Sequence, residues 1–265
     1  MVISLIIQSN YQCKKKCCKK GRQSRSFPLG RTTGVGDLRA PSRFDRLIKS
    51  IPFLSCLTDV ELQRIVVEKR FRKNQVILYE EDTSNYIYFI YSGKVKVVQG
   101  NIEGKERILA IHKKGDSFGE MAILDGKSAP ATVIAMEDSE IAFISKEDFQ
   151  WHLMKNEQIL KEIIAMLCGK LRESWMMLKV LSFSDAEHRI RAVLKNLSDQ
   201  FGVQDQRGTI INLKITHKDL AHYASISRET ASRLISSFAK AGEIEFLDKK
   251  YIILKPAFLE KAHRL

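Results

Sequence analysis

No run of eighteen apolar residues occurs in this 265-residue sequence, so it offers no candidate for a membrane-spanning helix. It also lacks the order of a secretory leader. In MVISLIIQSNYQCKKKCCKKGRQSRSF the apolar stretch precedes the basic cluster instead of following it, and at seven residues it is too short to span a bilayer. Cysteine is scarce and irregular. Cys13, Cys17, Cys18, Cys56 and Cys168 are odd in number and form no framework, which fits a reducing compartment. A nucleophile elbow, a phosphate-binding loop, an HExxH pair and zinc-type Cys/His spacing are all missing, which argues against an enzyme. Together these absences lead to the expectation of a cytoplasmic protein with no membrane partner.

Acid is also scarce in one place. Residues 1–43 hold ten Lys or Arg against the single acid Asp37, whereas residues 44–265 hold 34 bases against 30 acids. The overall charge of +13 is therefore concentrated in the first 43 residues, and a nucleic-acid surface in the remainder must be local. Residues 1–40 lack apolar periodicity and read as a disordered basic tail. Periodic sequence begins near Phe44, and Val35 is an alternative translation start that an intact-mass measurement tests.

Beyond Phe44 the sequence is patterned. DRLIKSIPFLSCLTDVELQRIVVEKRF (45–71) reads as short helices, with Thr58 and Glu61 as a capping box. From Gln75 the period changes to two. QVILYEE, YIYFIYSG, KVKVVQG, RILAIHKKGD and ATVIAMEDSEIAFIS are short strands separated by turn residues, the pattern of a compact β-barrel or roll. Helical spacing returns at Lys146 and runs to about Ser182. Within it Leu160, Ile164, Leu167, Leu171, Ser174, Leu178 and Leu181 alternate at steps of four and three. This is the a/d pattern of a coiled coil over three heptads, and it predicts pairing with an identical helix, the polar Ser174 helping to fix register. Cys56 and Cys168 sit in apolar stretches and read as small core residues.

Beyond SFSDAEHRI the sequence predicts an amphipathic helix over 185–201 and a loop at GVQDQRGT. A helix capped by Thr216 and Asp219 then runs through Tyr223, a tight turn comes next, and SISRETASRLI opens a second helix. On that helix Ala231, Leu234, Ile235 and Phe238 share one side, while Arg228, Glu229, Ser232, Arg233 and Ser236 fall within about 140° on the other. Ser227 is placed to cap it and Gly242 to end it, and EIEFLDKKYIIL reads as a hairpin turning at Asp248-Lys249. Helix, turn, helix and hairpin wing make a winged helix-turn-helix, whose second helix enters the DNA major groove. Arg there donates to guanine O6 and N7, Glu accepts from cytosine N4, and Ser meets phosphate or base. Thr216, Lys218, Ser227 and Ser236 join them in the predicted DNA-facing set, Lys218 toward phosphate alone.

At this point the chain resembles the bacterial regulators that include the cyclic-AMP receptor protein and the fumarate-nitrate regulator, over roughly residues 44–262. The glycine-punctuated GDSFGEMAILDGKSAPATVIA, the long helix and SRETASRLISSFAKAGEI carry the likeness. Arg228, Glu229 and Arg233 match the receptor-protein pattern, and Glu229, Ser232 and Arg233 match the fumarate-nitrate pattern. The resemblance implies an α+β chain with a cyclic-nucleotide-binding-type β-roll (44–150), a dimerisation helix and hinge (151–183) and a winged helix-turn-helix (184–265). It also implies a homodimer that binds a palindromic promoter site and contacts RNA polymerase. The half-sites are expected one helical turn apart, about 34 Å. Each is expected to hold a TGA core read by Glu229 and Arg233, with Arg228 favouring TGTGA and Ser232 leaving TTGAT open.

The effector is left open. In cyclic-AMP binders the cassette glutamate takes the ribose hydroxyl and an Arg-Ser or Arg-Thr pair takes the phosphate. Gly119 and Glu120 match, but Ala129 and Pro130 stand at the pair's positions. That change removes the guanidinium and one backbone donor, so cyclic AMP is not the expected ligand unless Lys170 or another base substitutes. The adenine-contacting Thr-Ser pair aligns with Ser174 and Trp175, and Trp175 could fill a pocket or stack on a planar ligand. An iron-sulfur cluster is disfavoured because Cys13, Cys17 and Cys18 lack the required spacing and Ser139 occupies the fourth position. For haem, His112 and His152 are the axial candidates. A haem or redox sensor, and a cyclic-nucleotide-binding module regulating some enzyme, stand as alternative functions. The recognition helix argues against the latter.

Overall fold

The computed structural model describes residues 51, 54, 57–83, 85–100, 106–248 and 251–263. All of them belong to one compact unit, Pro41–Leu265. The expectations for residues 1–43 and for Cys56 lie outside the described residues.

The chain enters through helix α1 (Asp59–Ile65), started by the Thr58/Glu61 capping box. The helical expectation ends too late here. Val66–Phe71 is strand β1, paired antiparallel with Ser139–Ile144 about seventy residues away. Seven further strands complete this part: β2 (Val76–Leu78), β3 (Tyr86–Ser92), β4 (Lys94–Gly100), β5 (Glu106–Lys113), β6 (Ser117–Phe118), β7 (Thr132–Ala135) and β8 (Ser139–Ser145). They form two four-stranded antiparallel sheets, in the orders β1-β8-β3-β6 and β2-β7-β4-β5, which make the expected roll. Alternating residues fill the roll's interior, among them Phe71, Ile90, Val95, Phe118, Val133 and Ile141.

Between β6 and β7 lies helix α2 (Glu120–Asp125), entered through Gly119 at φ 81°. A Cβ there would lie 2.9 Å from the Tyr86 carbonyl oxygen and 2.8 Å from the Tyr88 ring, so both the left-handed backbone and the close approach require glycine.

After β8 a π-helical segment (Phe149–Leu153) interrupts the predicted continuous helix. Helix α3 (Glu157–Ser182) then starts at Asn156, whose side chain accepts from the backbone of Gln158 and Ile159. Helix α3 carries two apolar stripes. Ile159, Ile163, Met166 and Leu167 pack on the roll, and Met177 and Val180 pack further along. On the other side Ile164, Leu171 and Leu178 are 60%, 52% and 63% exposed. Cys168 lies exposed among the outward residues, which corrects its assignment to the core.

The C-terminal part begins with α4 (Ala186–Phe201). The predicted loop at GVQDQRGT is instead a hairpin of β9 (Gly202–Asp205) and β10 (Gly208–Ile211). Helices α5 (His217–Ala224) and α6 (Arg228–Lys240) come next, then the wing strands β11 (Ile244–Leu247) and β12 (Tyr251–Leu254). The wing joins the earlier hairpin in a sheet of order β11-β12-β10-β9. A final helix, α7 (Pro256–His263), has no counterpart among the sequence expectations. Its Phe258 is fully buried.

The C-terminal core is continuous with one face of the roll. Val98, Ile108 and Ile111 of β4 and β5 pack in the same cluster as Leu197, Leu220, Tyr223 and Ala224.

Candidate nucleic-acid interface and effector cavity

Helix α6 separates its two faces as the sequence predicts. Ala231, Ile235 and Phe238 are buried and Leu234 packs beside them, while Arg228, Glu229, Arg233 and Ser236 are exposed. Ser227 caps the helix by accepting from Thr230 N at 3.1 Å. Glu229, beside its own backbone amide, Ser227 and Arg228, is held below the ordinary carboxylate range and stays ionised. At the far end the chain passes into Gly242 at φ 70°, with Glu243 N donating to Phe238 O at 2.9 Å.

Helix α5 is equally well fixed. Thr216 and Asp219 form a reciprocal capping box, and Lys96 of β4 donates to Asp219 Oδ1 at 2.9 Å. Burial pushes the Asp219 carboxyl up, but Thr216 and Lys96 together outweigh it and the net shift is downward. The helix ends at Ser225 in the left-handed region, φ 52°, where Arg107 of β5 donates to Ser225 Oγ at 2.7 Å. Thr216, Lys218 and Ser227 are exposed at the starts of these two helices. Ser232 differs from the other predicted contacts. Its hydroxyl lies 3.0 Å from His217 Nδ1 in a half-buried position, so its hydrogen-bonding capacity is partly taken within the protein.

A group without a strong sequence signal holds these helices together. Arg191 of α4 is 6% exposed. It donates to Glu243 at 2.5 Å and Glu187 at 2.8 Å, and its guanidinium lies 4.1 Å from the Phe238 ring centre. Burial opposes its charge, but the carboxylate partners outweigh that and raise its pKa further. The spacing of Glu187 and Arg191 at one helical turn is the sequence signal that could have found it.

The second site is a cavity of about 230 Å³ at the junction of roll, long helix and C-terminal part. It gathers most of the predicted effector residues, since Gly119, Glu120, Ala129, Pro130, Lys170 and Ser174 all line it. Trp175 does not. It is 64% exposed on the outer side of α3, a correction to its assignment to the pocket. Asn196 and Gln200 of α4 and Tyr223 of α5, none of them among the expected residues, complete the wall from the C-terminal side. Asn196 donates to Tyr223 Oη at 3.4 Å, and Gln200 donates to Asn196 Oδ1 at 3.3 Å. Burial, with Glu173 nearby, pushes the Tyr223 phenol up to about 12, so it stays protonated.

Lys170, the base considered as a substitute for the absent arginine, has two of its three ammonium donors engaged. Its ammonium donates to Glu120 Oε1 at 2.9 Å and to Ser117 O at 2.8 Å. His112 also lines the cavity and is buried. Its Nδ1 is 3.8 Å from Asp116 Oδ2, which would favour the imidazolium. Burial prevails, and with Lys170 it lowers the pKa to about 3, so the ring is neutral. His152 sits apart, in the π-helical segment. Among the described residues no group of three or more His, Cys, Asp or Glu is arranged to hold a metal ion. Ser139 is buried in the sheet and donates to Glu137 O at 2.8 Å.

The sequence profile of the cyclic nucleotide-binding domain matches residues 68–156, and that of the Crp-like helix-turn-helix domain matches residues 188–262. Across 205 residues the chain is 31% identical to the cyclic AMP receptor protein of Thermus thermophilus, covering 77% of this chain and 91% of that one. The chain belongs to the CRP/FNR family of transcription regulators. It is also 30% identical to the anaerobic regulatory protein of Haemophilus influenzae, over 77% of this chain and 79% of that one. The fold is shared with FixK2 from Bradyrhizobium japonicum, with a TM-score of 0.66 at 22% identity over 76% of this chain and 97% of that one. As a CRP/FNR regulator the protein carries a helix-turn-helix DNA-binding domain, and α5 and α6 are its two helices. No helix among the described residues is long and apolar enough to cross a membrane.

Proposed function

We propose that this CRP/FNR regulator acts as a cytoplasmic homodimer on an inverted-repeat promoter site, contacts RNA polymerase there, and is gated by a small effector held in the cavity. The observation that carries the DNA reading is the exposed face of α6. Arg228, Glu229 and Arg233 are exposed on a helix whose opposite face is buried. Two guanidinium forks and one ionised carboxylate, held on a rigid element, suit base edges in a major groove. Dimer formation is supported by the outward stripe of α3, where Ile164, Leu171 and Leu178 recur at intervals of seven residues and stay in water. Two-fold symmetry then calls for half-sites about 34 Å apart.

Cyclic AMP is not the effector in this reading. A cyclic phosphate is anionic, yet the positions beside it hold Ala129 and Pro130, and the nearest ammonium, Lys170, is engaged by Glu120 and Ser117. The test is a gel-shift on the protein's own upstream region combined with sedimentation of the complex. A specific shift with two chains per site is expected. No specific shift, or one chain per site, overturns the reading.

A further inference from the structure

The cavity wall is mainly apolar, formed by residues such as Val97, Phe118, Ala129, Val133 and Met177, and its charged groups are few. Two are carboxyl groups, Glu120 and Glu173, and one is an ammonium, Lys170. Glu120 is 4% exposed. Its Oε1 accepts from Lys170, but its Oε2 is buried and has no hydrogen-bond partner in the protein. A buried carboxylate oxygen without a donor carries most of its desolvation penalty uncompensated, so a group that donates to it gains more than it would at the surface. An anion in the same place would face two carboxyl groups and one ammonium that already makes two hydrogen bonds. His112, neutral and buried, adds no positive charge to offset the carboxyl groups.

Size narrows the class further. A dry apolar cavity of about 150 Å³ accepts benzene. The 230 Å³ here leaves ample room for a single ring or branched chain with one polar substituent. From these observations, and resting on the effector-gated reading above, we infer that the cavity takes a compact, largely apolar ligand whose one polar group is an amine or hydroxyl that donates to Glu120 Oε2. Tyr223, Asn196 and Gln200 close the cavity from the DNA-binding part, so the same ligand touches both halves of the protein. Its occupancy is thereby linked to the position of the helix-turn-helix, and the linkage is reciprocal.

Four probes share one ring and differ at its substituent: benzylamine and benzyl alcohol donate, toluene carries no polar group, and benzoate is anionic. Calorimetric and ligand-observed NMR titrations of the full chain should rank benzylamine first, benzyl alcohol second, and benzoate at least tenfold weaker than benzylamine. Cyclic AMP should not compete. Glu120→Gln presents an amide that can donate to an anion, so it should lower benzylamine affinity tenfold or more and narrow or reverse the gap to benzoate. Met177→Ala alters the wall without touching the carboxylate, so it should change all affinities together and keep their order. Benzoate or cyclic AMP binding wild type as tightly as benzylamine overturns the inference, as does an unchanged order in Glu120→Gln or no binding by either donor probe. A gel-shift on the same preparations separates these results from the parent reading. DNA binding that persists while the probes fail removes the ligand class alone, and loss of specific DNA binding removes the regulator reading itself.

Discussion

Lys170 of the long helix reaches the cassette glutamate of the roll, placing Nζ 2.9 Å from Glu120 Oε1. The carboxylate is almost wholly buried, while the lysine is about one-quarter exposed. Removing the ammonium alone leaves the carboxylate unpaired in an apolar wall. Lys170→Met is therefore expected to destabilise the protein by about 3 kcal/mol in urea unfolding, and the double replacement Lys170→Met/Glu120→Met should recover much of that loss. A double variant no more stable than the single one would mean that the pair's charge is irrelevant.

His112 makes stability depend on pH. Its pKa falls from 6.5 in the unfolded chain to about 3 in the fold. Below pH 6.5 the unfolded chain takes up a proton that the folded one refuses, so this contribution is complete above pH 6.5 and is lost as pH falls toward 3. The expected loss is about 1.4 kcal/mol per pH unit, or about 2 kcal/mol at pH 5. Asp116 and Glu173, both raised by burial, work in the opposite sense in the carboxylate range. Comparing urea midpoints of wild type and His112→Gln across pH isolates the histidine. Parallel curves would show that it does not titrate this way.

Pairing through α3 predicts a clean separation of roles. Ile164 and Leu171 are exposed, so Ile164→Glu/Leu171→Glu should give folded monomers in sedimentation with an unchanged circular dichroism spectrum. Leu167 packs on the roll core, and Leu167→Glu should lower thermal stability instead. Dimers that survive the first double variant place the contact elsewhere.

At the DNA interface, Arg233→Ala should cost about 1–3 kcal/mol at the cognate site and relax preference at one base pair. Lys218→Ala should weaken binding to all sequences evenly and flatten the salt dependence. The measurement is a binding-site selection run in parallel with wild type. Enrichment of the same base at the same position by wild type and Arg233→Ala would remove Arg233 from base reading.

Arg191 predicts a purely structural defect. Arg191→Ala leaves Glu243 buried with Lys261 as its remaining partner, and should destabilise the DNA-binding part by about 3 kcal/mol without changing which site is selected. A changed site preference at full stability would contradict this.

Local signals are the legible ones in this chain. The caps at Thr58, Thr216 and Ser227 and the two faces of α6 depend on a few adjacent residues, and they stand where spacing places them. Val66–Phe71 reads as helix because IVVEKRF extends an apolar helical pattern, while the strand is decided by Ser139–Ile144, far along the chain. Cys168 is misplaced by the sequence for a related reason, whereas Trp175 is assigned by alignment with the family's adenine-contacting pair. The sequence reads a single seam from Leu160 to Leu181, but tertiary packing divides it, with Leu167 on the roll and Ile164, Leu171 and Leu178 facing outward. The predicted effector residues of the cassette converge because Gly119 to Pro130 is one local segment, whereas Asn196, Gln200 and Tyr223 arrive from another part of the fold and carry no signal of their own.

The outward stripe of α3 has a geometric consequence. Ile164, Leu171 and Leu178 recur every seven residues, whereas a straight α-helix completes two turns in slightly more than seven. Such a row drifts around a straight helix by about 20° per heptad. Two copies that keep these side chains in register along the whole contact cannot lie as straight parallel rods. They must wind around each other in a left-handed supercoil, and the direction of that winding is set by the number of residues between one exposed side chain and the next.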